Sequence, residues 1–291
     1  MDEPQTGRHR LPDAGQWMRL IQRHQSEHPS LVRVLDVFDR LQDRPYRSNA
    51  LLQGEPGTGK EGLARALHAL MQDQPGPFVE CSLTGRAVGA AAADLCGEPG
   101  APGLIERADG GTLYLDEVAG IPAELQLRVL SAVRGRVRRE GELDERPVRV
   151  TVIAATEGDL RAEVRAGRFR HDLYYRLARI ELALPPLRER REDVGRLALW
   201  IGTRILHRAG LERRLLGPDE RADEDSAGAL TLTEDAIEAL AAHDWPGNLR
   251  ELDAVLERAL MLYAPPDGPV TAGHVRAALA GPTDPIDALA R

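Results

Sequence analysis

The sequence predicts an α/β domain, a parallel sheet with helices on both faces, followed by a small helical domain. Three observations carry this. Short apolar strand candidates alternate with helical stretches as far as Leu184, the order that builds a parallel sheet. Pro185 and Pro186 then break the alternation. Beyond them the apolar residues recur at helical spacing. At 291 residues the chain suits one large domain or two joined ones.

Taken in order, residues 1–27 are polar with several Gly and Pro, and we expect them to be partly disordered. Leu31, Val34, Leu35, Phe38 and Leu41 have the spacing of a helix. Asn49–Gln53 (NALLQ) reads as a strand, followed by a glycine-rich turn and a helix with Leu63, Leu67, Leu70 and Met71 on one face. Further strands are expected at Phe78–Cys81, Thr112–Asp116, Val148–Ala154 and Ile180–Leu184, with helices at Ala123–Val133 and Asp159–Ala166. After the two prolines come helices at Glu192–Arg208, Glu234–Ala241, Leu249–Leu262 and Ala272–Leu279. The acidic stretch Gly217–Gly228 interrupts them as a loop. The expected division is an N-terminal segment 1–27, an α/β domain 28–186, a helical domain 187–280 and a tail 281–291.

Composition excludes several functions. Lys+Arg is 38 and Asp+Glu is 46, so the net charge is 38 − 46 = −8. A free-standing nucleic-acid module needs clustered positive charge, and aromatics at 4% leave little for base stacking. No apolar run reaches bilayer-spanning length, and the opening MDEPQTGRHR lacks a signal-peptide core. Cys81 and Cys96 form no metal or disulfide pattern. The expectation is a soluble, cytoplasmic chain without membrane contact. One count points further: 37 of the 38 basic residues are arginine, and the one lysine is Lys60. Arginine cannot replace a compact ammonium packed among phosphates.

Lys60 sits in GEPGTGKE, the run Gly54, Glu55, Pro56, Gly57, Thr58, Gly59, Lys60 and Glu61, between a strand and a helix. This fits the phosphate-loop pattern G-x-x-x-x-G-K in its required setting. The glycines let backbone N–H groups curl around phosphate oxygens, and the helix N-terminus adds its dipole. Lys60 would reach the β- and γ-phosphates of ATP. Glu61 departs from the pattern, which usually has Ser or Thr there to help hold Mg²⁺. Next, GGTLYLDE carries Asp116 and Glu117 to the end of a strand. Asp116 can hold Mg²⁺, directly or through water, and Glu117 can polarise the attacking water. An acidic pair after a strand is commonplace alone. Downstream of a phosphate loop it makes an ATPase, converting ATP and water to ADP and phosphate.

These motifs belong to a longer series. GEPGTGKE, GGTLYLDE, VIAAT (Val152–Thr156), FRHDLYYRL (Phe169–Leu177), LPPLRERRED (Leu184–Asp193) and WPGNLREL (Trp245–Leu252) occur in that order. The series resembles the AAA+ domain of bacterial enhancer-binding proteins, the sigma-54-dependent transcription activators, from about Ser30 to Leu279. The resemblance implies an AAA+ P-loop NTPase fold with a helical lid, and roles for particular residues. Thr156 takes the sensor I position. Arg170 and Arg176 take those of arginine fingers, which complete a neighbouring subunit's site. Arg250 takes the sensor II position in the lid. Asn248 and Glu251 look like an N-cap and its N3 partner. Fingers supplied in trans imply a ring, usually a hexamer, with activity dependent on protein concentration.

The resemblance has gaps. The family's GAFTGA loop, which contacts sigma-54, should lie between LCG (Leu95–Gly97) and GLIE (Gly103–Glu106), where only Glu98–Pro102 stand. The usual route to sigma-54 is therefore in doubt. Ser82 stands where the family has an Asn that restrains the catalytic Glu, and Glu157 follows sensor I where Asn is usual. The RGRVRRE stretch near Arg134–Pro147 reads as a pore-facing insert or a solvated hairpin. Neither an input domain nor a DNA-binding domain is expected in this chain. The leading reading is an ATP-hydrolysing ring that couples hydrolysis to partner remodelling in transcription regulation, working with a related full-length activator or diverted to another partner. The alternatives are a nucleotide-binding scaffold with little ATPase activity and, less consistent with the charge, a DNA-binding repressor.

Overall fold

The computed structural model describes residues 28–43, 46–71, 76–211, 213–220 and 228–281. The expected disorder over 1–27, the tail beyond Gly281 and most of the loop Gly217–Gly228 lie outside the described residues. The chain forms two compact units. One comprises Pro29–Glu55 and Gly59–Leu184, and the other takes Pro56–Thr58 together with the chain from Pro185 onward.

The first unit opens with α1 (Pro29–Asp43), which buries Leu31, Val34, Phe38 and Leu41 along one stripe. Five strands follow: β1 (Ala50–Gln53), β2 (Phe78–Ser82), β3 (Thr112–Asp116), β4 (Thr151–Thr156) and β5 (Ile180–Ala183). They form one sheet in the order β2-β3-β4-β1-β5, and every pairing is parallel. The central strand β4 is buried at all six residues of TVIAAT, as expected of a strand covered on both faces. Because the strands are parallel, Gln53, Ser82, Asp116 and Thr156 end at the same edge. The register pairs Gln53 with Thr156 and Ser82 with Asp116.

Helices α2 (Lys60–Leu70), α3 (Val88–Cys96), α4 (Leu104–Arg107), α5 (Ala123–Val133), α6 (Leu160–Arg165) and α7 (His171–Leu177) complete this unit. Leu95, Ile105, Leu125, Val129 and Leu173 pack with sheet residues Leu51, Leu113, Leu115 and Val152 in one core. Cys81 and Cys96 are buried free thiols. Burial pushes Cys81 up to about 12 and Cys96 up to about 11, away from the reactive thiolate form.

One strand is displaced by more than a residue at both limits. Val148 is not in β4: its N–H donates to Gly135 O, and the chain enters the sheet only at Thr151, whose N–H donates to Gly111 O. The expected strand therefore shifts to Thr151–Thr156. The RGRVRRE stretch forms a hairpin, with Arg136–Val137 antiparallel to Arg146–Pro147. Three of its arginines are paired, Arg139 with Glu106 at 2.6 and 2.8 Å, Arg136 with Glu145 at 3.0 Å and Arg134 with Asp172 at 3.9 Å. A second hairpin pairs Gly97–Glu98 with Ala101–Pro102 around Pro99 and Gly100.

The second unit is built from α8 (Arg191–Arg208), α9 (Glu234–Ala242), α10 (Asn248–Arg258) and α11 (Ala272–Ala280). Trp245 is fully buried there, and its Nε1–H donates to Leu240 O at 2.8 Å. The expected helix Leu249–Leu262 ends as an α-helix at Arg258, and Ala259–Tyr263 continue as one π-turn. Among the described residues no helix is long and apolar enough to cross a membrane.

Candidate functional site

The glycine run leaves the C-terminal end of β1 and enters α2. Gly54 N–H donates to Thr156 O at 3.1 Å, which extends the β1–β4 ladder by one bond before the chain turns. Gly59 precedes the helix at φ 106°, a conformation that suits glycine alone among common residues. Lys60 is the first residue of α2 and only 8% exposed. Its Nζ donates to Gly54 O at 2.7 Å and Glu55 O at 3.1 Å. The ammonium thus holds the loop curled over the helix end, whose first N–H groups have no intrahelical acceptor.

The loop tip, Pro56–Thr58, is held by residues of the second unit, to which it belongs. Asn248 Nδ2 donates to Pro56 O at 2.9 Å, Leu249 N–H to Gly57 O at 2.9 Å, and the Arg190 guanidinium to Thr58 O at 3.5 Å. Any β-carbon on Gly57 would stand 2.3 Å from Gly247 O, so the position accepts glycine only. Arg250 lies on α10, exposed, with its Cγ 3.4 Å from that same point.

Near Lys60 stand the acidic residues. Asp116 closes β3 and accepts from Tyr114 Oη–H at 3.3 Å. Glu117 follows at φ 50°, and its Oε1 is 3.9 Å from Lys60 Nζ. Its Oε2 accepts from Glu157 N–H at 3.4 Å. Burial, then the charge of Glu157, raises the Glu117 carboxyl above the usual range, while Lys60 opposes them and Asp116 adds to them. Glu117 is thus held by the Glu157 backbone, while Ser82 lies exposed across from Asp116. Thr156 is fully buried, and its Oγ1 makes no hydrogen bond among the described residues. Glu61 is turned to Arg65, 3.3 Å away on the same helix.

One edge of the sheet thus gathers Gly54, Lys60, Asp116, Glu117 and Thr156. Arg170 and Arg176 are elsewhere. Arg170 caps α7 and pairs with Asp172 through two bonds of 3.0 Å. Arg176 is exposed, and its carbonyl accepts from Asn49 Nδ2 at 2.9 Å. Asn49 precedes β1 and the glycine loop follows it, so a four-residue strand of roughly 13 Å separates them. Asn248 is not the N-cap of α10, as expected, but its first residue. Gly247 is the cap, and Glu251 Oε2 accepts from Gly247 N–H at 2.8 Å. The buried Asn248 amide instead bridges two segments, since its Oδ1 also accepts from Leu187 N–H at 2.8 Å. Arg190 is a residue that sequence reading missed. It is nearly fully buried, its Nε has no hydrogen bond among the described residues, and burial lowers it to about 10. It lies within the LPPLRERRED motif, but the resemblance assigned that arginine no role.

No group of three or more His, Cys, Asp or Glu among the described residues is arranged to hold a metal by itself. A cation at Asp116 would take its other oxygens from phosphate and water, as Mg²⁺ commonly does. The helix end, ammonium, unpartnered buried hydroxyl and carboxylate pair fit that combination.

A glycine loop after the first strand, an acidic pair after the third and a helical second unit define a P-loop NTPase fold of the AAA+ type. A point mutant of Thermotoga maritima RuvB shares this fold at 17% identity and a TM-score of 0.54, over 89% of this chain and 71% of that one. More specifically, the chain belongs to the sigma-54 interaction domain family, which it matches over residues 25–183, while residues 218–288 match the AAA+ ATPase lid domain. It is 39% identical to the nitrogen assimilation regulatory protein NtrX of Azorhizobium caulinodans, over 78% of this chain and 48% of that one. It is 36% identical to the Nif-specific regulatory protein of Azotobacter vinelandii, over 84% and 44%. The chain thus spans less than half the length of these curated relatives. NtrX from Brucella abortus, solved in complex with ATP, superposes with a TM-score of 0.72 at 33% identity, over 85% of this chain and 53% of that one.

Proposed function

We propose that this chain binds Mg-ATP at the glycine loop and hydrolyses it at sites completed between copies in a ring, a hexamer by family resemblance. The observation that carries this reading is the edge of the sheet itself. Lys60 stands 3.9 Å from Glu117, and beside them Thr156 keeps a buried hydroxyl that no described residue uses. In this reading Gly54–Glu61 wrap the phosphates, Glu117 orients the attacking water and Thr156 reports on the terminal phosphate. Bound at Asp116, Mg²⁺ would supply charge neutralisation for the phosphate oxygens. Arg250 reads the nucleotide from the lid. Arg170 and Arg176, away from their own subunit's glycine loop, serve the neighbouring copy, where a guanidinium stabilises charge on the transferred phosphoryl.

We further assign the ring to transcription regulation in the cytoplasm. Direct engagement of sigma-54 by the usual loop is not part of the proposal. The Gly97–Pro102 hairpin turns at Pro99 and Gly100 and offers no Thr or Phe, which supports a different remodelled partner or a mixed ring with a related full-length activator. A second reading, a nucleotide-binding scaffold with little turnover, is favoured by the Glu157 charge beside Glu117. Steady-state Mg-ATP hydrolysis per subunit across a wide range of protein concentration separates the two. Turnover that rises cooperatively and falls about 10²–10⁴-fold in Glu117→Gln supports the ring. Nucleotide binding without turnover at saturating protein defeats it in favour of the scaffold.

A further inference from the structure

A cavity of about 1030 Å³ opens in the first unit, away from the glycine loop. Its lining includes Asn49, Gly110 and Thr151, which lie at the starts of β1, β3 and β4, whereas the glycine loop and Asp116 lie at their ends. Four arginines line it, Arg47, Arg134, Arg149 and Arg179, and no Asp or Glu among the described residues does. This is a concentration of positive charge in a chain of net charge −8. Arg134 is drawn toward Asp172, 3.9 Å away, while Arg149 and Arg179 are exposed. Two tyrosines, Tyr46 and Tyr175, also line the cavity and are 57% and 60% exposed. In a chain with 4% aromatic residues their placement beside four arginines is informative. Tyr175 is steadied by edge contacts with His171 and Tyr174 at 4.5 and 5.2 Å.

Hydrogen bonds tie down part of the wall. Asn49 binds both Arg176 O and Val152 N–H, Gly110 N–H donates to Arg149 O, and Val148 N–H to Gly135 O. Guanidinium groups match phosphate oxygens in geometry and charge, and tyrosine faces accept a flat ring. The volume is at the upper end of small-molecule sites, which run to about 1,000 Å³.

We infer that this cavity is a second anion site, separate from the phosphate loop, which takes a nucleotide-sized polyphosphate through Arg149 and Arg179 with its ring against Tyr175 or Tyr46. The inference does not depend on ATP hydrolysis at the glycine loop.

The test is equilibrium dialysis of ATP against the whole chain, its Lys60→Ala variant, and that variant with Arg149→Gln and Arg179→Gln added. Thermal melts confirm that each variant is folded before its binding is read; the two arginines are exposed, so their replacement leaves the core intact. The expected result is two ATP per wild-type chain and one per Lys60→Ala chain. The residual binding should fall at least tenfold in the triple variant. Tripolyphosphate should displace that residual ATP but bind more weakly, because it has no ring. No residual binding in Lys60→Ala, or residual binding unmoved by the arginine changes, overturns the second site. Loss of self-association in the arginine variants with unchanged ATP stoichiometry also overturns it, because the face would then join copies of the chain. If Lys60→Ala still binds two ATP, the glycine-loop reading fails, while the arginine changes still decide the cavity.

Discussion

Replacing Thr156 by valine separates a structural role from a nucleotide-sensing one. Valine matches threonine in shape and is at home in a strand. Thr156 is fully buried in β4, and its hydroxyl makes no hydrogen bond among the described residues. A buried hydroxyl without a partner costs about 1–3 kcal/mol, so Thr156→Val should stabilise the nucleotide-free protein. A gain of about 1 kcal/mol raises Tm by about 2–4 °C in a chain of this size class. If the hydroxyl binds the terminal phosphate during turnover, its loss removes a hydrogen bond to a charged group, about 1.5–3 kcal/mol. At about 1.36 kcal/mol per tenfold, kcat/KM for ATP should fall roughly 10- to 150-fold. The assay pairs a thermal melt without nucleotide with steady-state hydrolysis. A variant that melts lower and turns over normally would refute the reasoning, since the hydroxyl would then serve packing alone.

Three further outcomes are expected. The Glu157 charge raises the Glu117 carboxyl; Glu157→Gln should therefore lower it, and the acid limb of the kcat profile should move to lower pH. The backbone N–H of residue 157 still reaches Glu117 in that variant, and a limb that stays or rises contradicts the assignment of Glu117 as the base. Mixing Lys60→Ala with Arg176→Ala subunits should restore part of the turnover that each lacks alone, because some interfaces then pair an intact loop with an intact arginine; no recovery at any mixing ratio counts against fingers in trans. Asn248→Ala should cost about 2–4 kcal/mol in denaturant unfolding, since it places alanine at φ 53° and strands two buried bonding groups. A loss below about 0.5 kcal/mol, less than a single typical hydrogen bond contributes, would deny the amide its bridging role.

Much of this architecture was legible in the sequence for identifiable reasons. Buried parallel strands such as β3 and β4 read as apolar runs, and the glycine loop has a spacing that few other structures require. Other features had no local signature. The start of β4 is set by where Val148 bonds in the neighbouring hairpin, not by its own β propensity. Helix α3 carries four consecutive alanines, Ala90–Ala93, but too little amphipathic contrast to stand out. Asn248 has the residue type of a cap, yet the cap falls on Gly247, and the amide is spent on Pro56 and Leu187, partners 192 and 61 residues away. Arg190 is buried by tertiary packing alone. Spacing rules describe neighbours within a few residues, and these positions answer to distant ones.

Lys60 is the chain's one lysine, and it is folded onto the carbonyls of its own loop. Amine chemistry on this protein therefore has a single side-chain target. Acylation followed by mass spectrometry would read the state of the loop directly, since any occupant that engages the ammonium must slow its modification. The same fact works in reverse. Any modification that neutralises lysine, such as acetylation, can act on this chain's side chains only by disabling the phosphate loop.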